Sequence, residues 1–214
     1  GSKYLITAAL AFAFDREQFS RSVANFGMIK NKFANMVTKS WESDSINYMT
    51  TGAIDEAVQK LDKNSENYYN GVQKIIEDHS IEASISKILG SEALAYTVDE
   101  GLQIMGGAGF IEEYPMAGAY RDERINRIFE GTNEINRMII GGYVLKKSIL
   151  EEVPIRICIQ ERINQWIPDN EMEGSCREYF EVVEFCRSLL LNIINHLILK
   201  YGQDLKNEQW ILEP

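Results

Sequence analysis

Apolar residues recur at helical spacing along almost the whole chain, and no stretch alternates apolar and polar long enough to build a sheet. Residues 3 to about 18 begin with Tyr4-Leu5-Ile6-Thr7-Ala8-Ala9-Leu10-Ala11-Phe12-Ala13-Phe14, a run with high helix propensity. From Val23 to Met49, Phe26, Ile29, Phe33, Met36, Val37, Trp41 and Ile46 mark one side of a long amphipathic helix. Residues 53–79 are charged and less regular, with a turn expected at Asp62-Lys63-Asn64-Ser65-Glu66-Asn67. A second long helix is expected from about Ser80 to Met105, closed by Gly106-Gly107 as a C-terminal cap. After a loop holding Pro115, a short helix leads into Ile128 and another runs from Thr132 to about Ser148. Pro154 breaks the chain. A short helix over Ile155–Trp166, a turn at Pro168-Asp169-Asn170 and a long apolar helix over about Ser175–Tyr201 follow. The expected fold is all-α, an up-and-down helix bundle over residues 3–150 with an insertion at about 53–79, then an additional helical C-terminal region over 151–214.

Composition narrows the partners. A chain of 214 residues can bury a real core. A net charge of -10 argues against nucleic acid or an anionic membrane as the main partner. Cys158, Cys176 and Cys186 are widely spaced and odd in number, as expected of reduced thiols in an intracellular protein. His79 and His196 are too few and too far apart for a metal cluster, so no metal site is expected. The apolar run Ser188–Leu199 is flanked by Glu184, Arg187 and Lys200 and is too short to span a bilayer; it reads as a buried helix. Gly1-Ser2 reads as an expression remnant and is left out of the fold.

The segment Arg121 to Arg137 carries the candidate chemistry. Glu130 sits between the apolar pair Ile128-Phe129 and Gly131-Thr132, where a new helical pattern opens. Gly131 permits a turn or close backbone approach, and Thr132 is a good N-cap. Ile128 and Phe129 are expected to hold the carboxylate against apolar surroundings. Desolvation would then raise its pKa toward that of a working general base. A solvated loop carboxylate is the plainer alternative on these residues alone.

Three motifs together resemble the acyl-CoA dehydrogenase family. Residues 121–137 are similar to its "R-I-F-E-G-T-N-E-I" signature, Gln103-Ile104-Met105-Gly106-Gly107 to its "Q-x-x-G-G" loop, and Arg16-Glu17-Gln18-Phe19 to its "R-x-x-F". The resemblance covers roughly residues 4–147, is nearest the very-long-chain branch, and extends more weakly to the start of that branch's extra C-terminal region. It implies the family's C-terminal helical domain, with Glu130 as the base that takes the proton alpha to a thioester carbonyl. The beta hydrogen would pass as hydride to FAD, giving a trans-2-enoyl-CoA in fatty acid beta-oxidation. It also implies that Arg16, Gln18, Phe19, Gln103, Gly106 and Gly107 contact FAD held mainly by a neighbouring subunit, while Thr132 and Glu134 approach the FAD of their own. An arginine suits a pyrophosphate because its planar fork matches two oxygens.

Further implications are a fatty acyl-CoA substrate, a homodimer or tetramer, and an electron-transfer flavoprotein as acceptor. The location would be cytoplasmic in a bacterium and mitochondrial in a eukaryote. The chain reads as part of a larger protein, without the family's N-terminal helical and middle beta domains, and is expected to be inactive alone. Ser20 departs from the pattern, which has Gly after "R-x-x-F". The resemblance leaves two alternatives: an assembly or scaffold protein using the apolar face Leu189–Leu199, and an acyl-CoA oxidase.

Overall fold

The computed structural model describes residues 1–152, 154–164 and 176–212. Contacts divide the chain into two compact units, Gly1–Arg137 and Met138–Pro214.

The first unit is a helical array built around one central helix. Helix α1 (Ser2–Asp15) buries Leu5, Ala9 and Ala13, one residue per turn on a single stripe. A long α2 (Gly27–Gln59) and a short α3 (Tyr68–Asp78) lead to α4 (Ser80–Met105). This fourth helix packs against both α1 and α2, and also against α6 (Pro115–Arg124). Leu5, Ala9, Val98, Met105 and Met116 form one core cluster; Ala13, Ala24, Met36 and Ile104 form the other. Gly101 of α4 makes room for Met116 of α6: a Cβ there would meet Met116 Cε at 2.7 Å. Between α4 and α6 lies the one-turn α5 (Gly107–Phe110). Pro115 stands in the first turn of α6, where its missing N–H costs nothing.

Three local differences from the sequence reading have clear causes. The second helix begins at Gly27, after a 3₁₀ turn at Val23–Asn25 that Ser22 caps through its hydroxyl, and extends beyond Met49 to Gln59. Ala53, Glu56, Ala57 and Gln59 are good helix formers on an exposed face, so polarity there does not end the helix. The turn at 62–67 forms as its composition predicts, with Asp62 Oδ1 accepting from Asn64 N at 2.9 Å. The structure also contains a two-stranded antiparallel hairpin, β1 (Glu17–Gln18) paired with β2 (Arg21–Ser22), too short for any periodicity to announce it.

Helix α7 (Asn133–Ile149) starts in the first unit and continues into the second. The second unit then holds α8 (Ile155–Asn164), α9 (Arg177–Tyr201), a 3₁₀ segment Gly202–Asn207 and α10 (Gln209–Leu212). Leu145, Ile155, Ile159 and Leu205 are its buried apolar residues. The expected turn at Pro168-Asp169-Asn170 and the helix end at Trp166 lie outside the described residues.

The sequence reading of Ser188–Leu199 as buried is corrected. Leu189, Leu190, Ile193 and Leu199 are all about half or more exposed. The inward stripe of α9 is instead carried by Glu184 and Ser188, both buried, with Glu184 ion-paired to Arg162 of α8 and to Arg187. The helix is also longer than the apolar run suggested. An 18-residue window in it has mean hydropathy 1.5, so length and composition alone would allow it to cross a membrane. A single helix of that kind is equally the pattern of a packing helix in a water-soluble protein.

Candidate active site

The carboxylate singled out in the sequence lies on a tight reversal between α6 and α7. After α6 the chain makes a 3₁₀ turn at Ile125–Arg127 and then runs through Ile128 and Phe129 to Glu130. Glu130 has φ 56 and Gly131 φ 78, two consecutive left-handed residues. For a glutamate this conformation is strained and persists only when its surroundings impose it.

Those surroundings are identifiable. The Gly131 carbonyl accepts from Asn136 Nδ2 at 2.9 Å and from Lys87 Nζ at 2.9 Å. The same Lys87 ammonium donates to Asn133 Oδ1 at 2.7 Å. Asn133 is only 2% exposed, and its amide donates to Ser91 Oγ at 3.0 Å and to Glu92 Oε1 at 2.8 Å. Three polar side chains of α4, Lys87, Ser91 and Glu92, therefore grip the start of α7. Thr132 caps that helix, its hydroxyl accepting from Ile135 N at 3.3 Å. Glu134 takes hydrogen bonds from its own N–H and from the Thr132 hydroxyl, which hold its pKa below the ordinary carboxylate value.

One expectation about Glu130 is overturned. Ile128 and Phe129 do not enclose it: they are 48% and 45% exposed, and Glu130 itself is exposed. Between residues 128 and 136 the buried positions are Asn133 and Asn136, while residues 128–131 are exposed. Within this chain the apolar pair supplies no desolvation of the carboxylate.

The two motifs expected from the resemblance to contact flavin lie on the hairpin and on the α4–α5 corner. Arg16 ends α1, and its carbonyl accepts from Val23 N at 2.8 Å, which ties the base of the hairpin. Phe19 and Ser20 form the two-residue turn with φ 53 and 62. Positive φ at both positions gives the twist that two paired strands require. Phe19 is 87% exposed and packs edge-on to Phe26, over whose ring Arg21 lies at 3.9 Å. Gln18 is exposed beside it.

At the other corner, Gly106 terminates α4 with φ 59 and ψ -136, donating to the carbonyls of Leu102 and Gln103. Gln103 is on the exposed side of the last turn. Arg16, Gly107, Ala108, Phe12 and Tyr114 line one open groove of about 700 Å³. A Cβ at Gly106 or Gly107 would meet nothing within 4 Å, whereas at Gly109 it would strike Leu102 O at 2.8 Å. Gly109 is thus needed for packing, and the first two glycines leave bare backbone facing open space. An exposed arginine, an exposed aromatic ring and uncovered backbone fit a flat, pyrophosphate-bearing cofactor.

The structure therefore brings Arg16 and Gly107 to one groove, and Glu130, Thr132 and Glu134 to one turn. Among the described residues no hydrogen bond or ion pair joins the two sets. Sequence reasoning missed Lys87, Ser91, Glu92 and Asn133. The one available signal was an asparagine at the first position of a helix already capped by threonine.

Comparison with known proteins identifies the family. Residues 2–145 match the family model "Acyl-CoA dehydrogenase, C-terminal domain". The chain is 36% identical over 99% of its length to a probable acyl-CoA dehydrogenase of Bacillus subtilis (strain 168), of which it spans 36%. It superposes on a crystal structure of an acyl-CoA dehydrogenase complexed with FAD from Bacillus anthracis with a TM-score of 0.90, at 36% identity, covering 99% of this chain and 36% of that one. It is 39% identical, over 64% of its length, to 18% of the human very long-chain specific acyl-CoA dehydrogenase, mitochondrial. The chain thus spans about a third of the Bacillus relatives and belongs to the acyl-CoA dehydrogenase family, whose C-terminal domain it contains.

Proposed function

We propose that the protein carrying this chain is an FAD-dependent acyl-CoA dehydrogenase in which Glu130 is the base. The observation that carries the reading is the turn at Glu130-Gly131, held in a strained conformation by four side chains of α4 and α7. A solvated loop carboxylate has no need of such restraint. Glu130 would receive the proton alpha to the thioester carbonyl on a carboxylate oxygen. Its exposure here means that the desolvation a base requires must come from atoms outside this chain segment. FAD, when bound, supplies the acceptor for the beta hydrogen, which no side chain can do.

Arg16, Gln18, Phe19, Gln103, Gly106 and Gly107 would form the flavin surface offered to a neighbouring subunit, so the reading includes a homo-oligomer. Thr132 and Glu134 would lie near the subunit's own flavin. The substrate class is a fatty acyl-CoA, and identity to the human very long-chain enzyme supports a long chain and a place in beta-oxidation. By the family resemblance, the electron acceptor would be an electron-transfer flavoprotein. Free thiols at Cys158, Cys176 and Cys186 and the Bacillus relatives support a cytoplasmic location. The experiment is anaerobic flavin bleaching by acyl-CoAs of graded length, with Glu130→Gln beside the parent.

A further inference from the structure

We infer that Lys87 is a positioning residue for Glu130, acting as a two-point clamp on the catalytic turn. The inference rests on the reading of Glu130 as base. Lys87 lies in the second turn of α4 and is half-buried. Its ammonium donates to the Gly131 carbonyl at 2.9 Å, one residue after Glu130, and to Asn133 Oδ1 at 2.7 Å. One cation therefore fixes both the main chain beside the base and the first residue of the following helix. A lysine suits this position because a charged donor makes stronger hydrogen bonds than a neutral one, and its three protons can serve several acceptors.

The rest of the network does not replace it. Asn136 Nδ2 also reaches the Gly131 carbonyl at 2.9 Å, but from α7 itself. Asn133, two residues downstream of the turn's glycine, ties α7 to Ser91 and Glu92. Lys87 alone among these groups links α4 directly to the main chain of the left-handed pair. The Glu130 conformation is strained, so release of the Gly131 carbonyl lets φ at 130 relax and moves the carboxylate. Misplacement of a catalytic group by about 1 Å costs roughly a hundredfold in rate.

The test uses the complete gene product with FAD bound and compares Lys87→Met, Lys87→Arg and Glu130→Gln. Single-turnover flavin reduction, KM, flavin content, thermal midpoint and the isotope effect from alpha-deuterated acyl-CoA are measured on each. Lys87→Met is expected to reduce its flavin roughly 10- to 100-fold more slowly. Its KM, flavin content and thermal midpoint stay near the parent values, and its alpha-deuterium isotope effect is larger. Lys87→Arg recovers most of the rate. An unchanged rate in a variant that holds its flavin overturns the inference. If Lys87→Met fails to hold flavin, Lys87→Gln takes its place, and an unchanged reduction rate there overturns it equally. Glu130→Gln separates the two claims. Full activity in that variant removes the base reading itself, whereas its inactivity beside an unaffected Lys87→Met removes only the clamp.

Discussion

The buried amide of Asn133 donates to Glu92 at 2.8 Å, bolting the first residue of α7 to the middle of α4. Both lone-pair and N–H capacities of that amide are used, by Lys87 on one side and by Ser91 and Glu92 on the other. Asn133→Ala leaves the buried Ser91 hydroxyl with only the Ile88 carbonyl as partner, removes the donor to Glu92 and frees Lys87 from one of its two acceptors. Removing one member of such a buried set costs about 1–3 kcal/mol. Denaturant unfolding is expected to show a loss in that range. Asn133→Asp should lose less, because its carboxylate still accepts from Lys87, although it meets Glu92 with like charge.

A glycine with empty space above its Cα separates cofactor approach from folding. Gly107 has no neighbouring atom within 4 Å of the position a Cβ would take, and its backbone needs no positive φ. Gly107→Val should therefore leave the thermal midpoint of the flavin-free protein within about 1–2 °C, corresponding to no more than about 0.5 kcal/mol. In the assembled protein the same change should lower bound flavin severalfold, read from the absorbance ratio at the flavin band. Undiminished flavin would take Gly107 out of the cofactor surface.

Glu123 predicts a pH dependence of stability. It is 4% exposed on α6, 3.6 Å from Arg127, and one carboxylate oxygen is buried without a hydrogen bond. Burial pushes its pKa above the ordinary carboxylate value, with Arg127 and Arg124 opposing and Glu92 reinforcing. A raised carboxylate pKa means the folded state binds the proton more tightly than the unfolded chain. The associated stability is complete below the unfolded pKa and is lost as pH rises through the folded one. Glu123→Gln should remove that dependence. Its thermal midpoint should exceed the parent's by a few degrees at pH 7, and the difference should vanish as pH falls below about 4. Equal midpoints at every pH would contradict the assignment.

The helices and the glycine corner were legible because their signals are local. Leu5, Ala9 and Ala13 keep one stripe, and Gly106 marks the end of α4, as helical spacing and glycine's conformational freedom predict. The hairpin at residues 17–22 was not legible, because two-residue strands carry no alternation and Phe19-Ser20 is not a usual left-handed pair. Tertiary ties, Val23 N to Arg16 O and Ser22 Oγ to Ala13 O at 2.9 Å, impose that turn and absorb the missing glycine. The face of α9 was misread for a related reason. A polar pair, Glu184 and Ser188, took the inward positions because Arg162 on another helix compensates the buried charge. At the site, the motif located Glu130, yet the α4 residues that fix it, Lys87 and Glu92, lie 43 and 38 positions upstream. No spacing rule joins Lys87 to Gly131. The exposure of Ile128 and Phe129 likewise goes with Asn133 and Asn136 taking the buried positions of the segment.

The central claim is that Glu130 takes the substrate proton. The most direct measurement is the rate of anaerobic flavin bleaching in the complete protein on mixing with a long-chain acyl-CoA, for the parent and for Glu130→Gln. The account predicts rapid bleaching in the parent. In the variant, flavin stays bound and bleaches at least roughly a thousandfold more slowly, as expected when an essential base is removed. Bleaching at the parent rate in Glu130→Gln, with flavin equally bound, would contradict it.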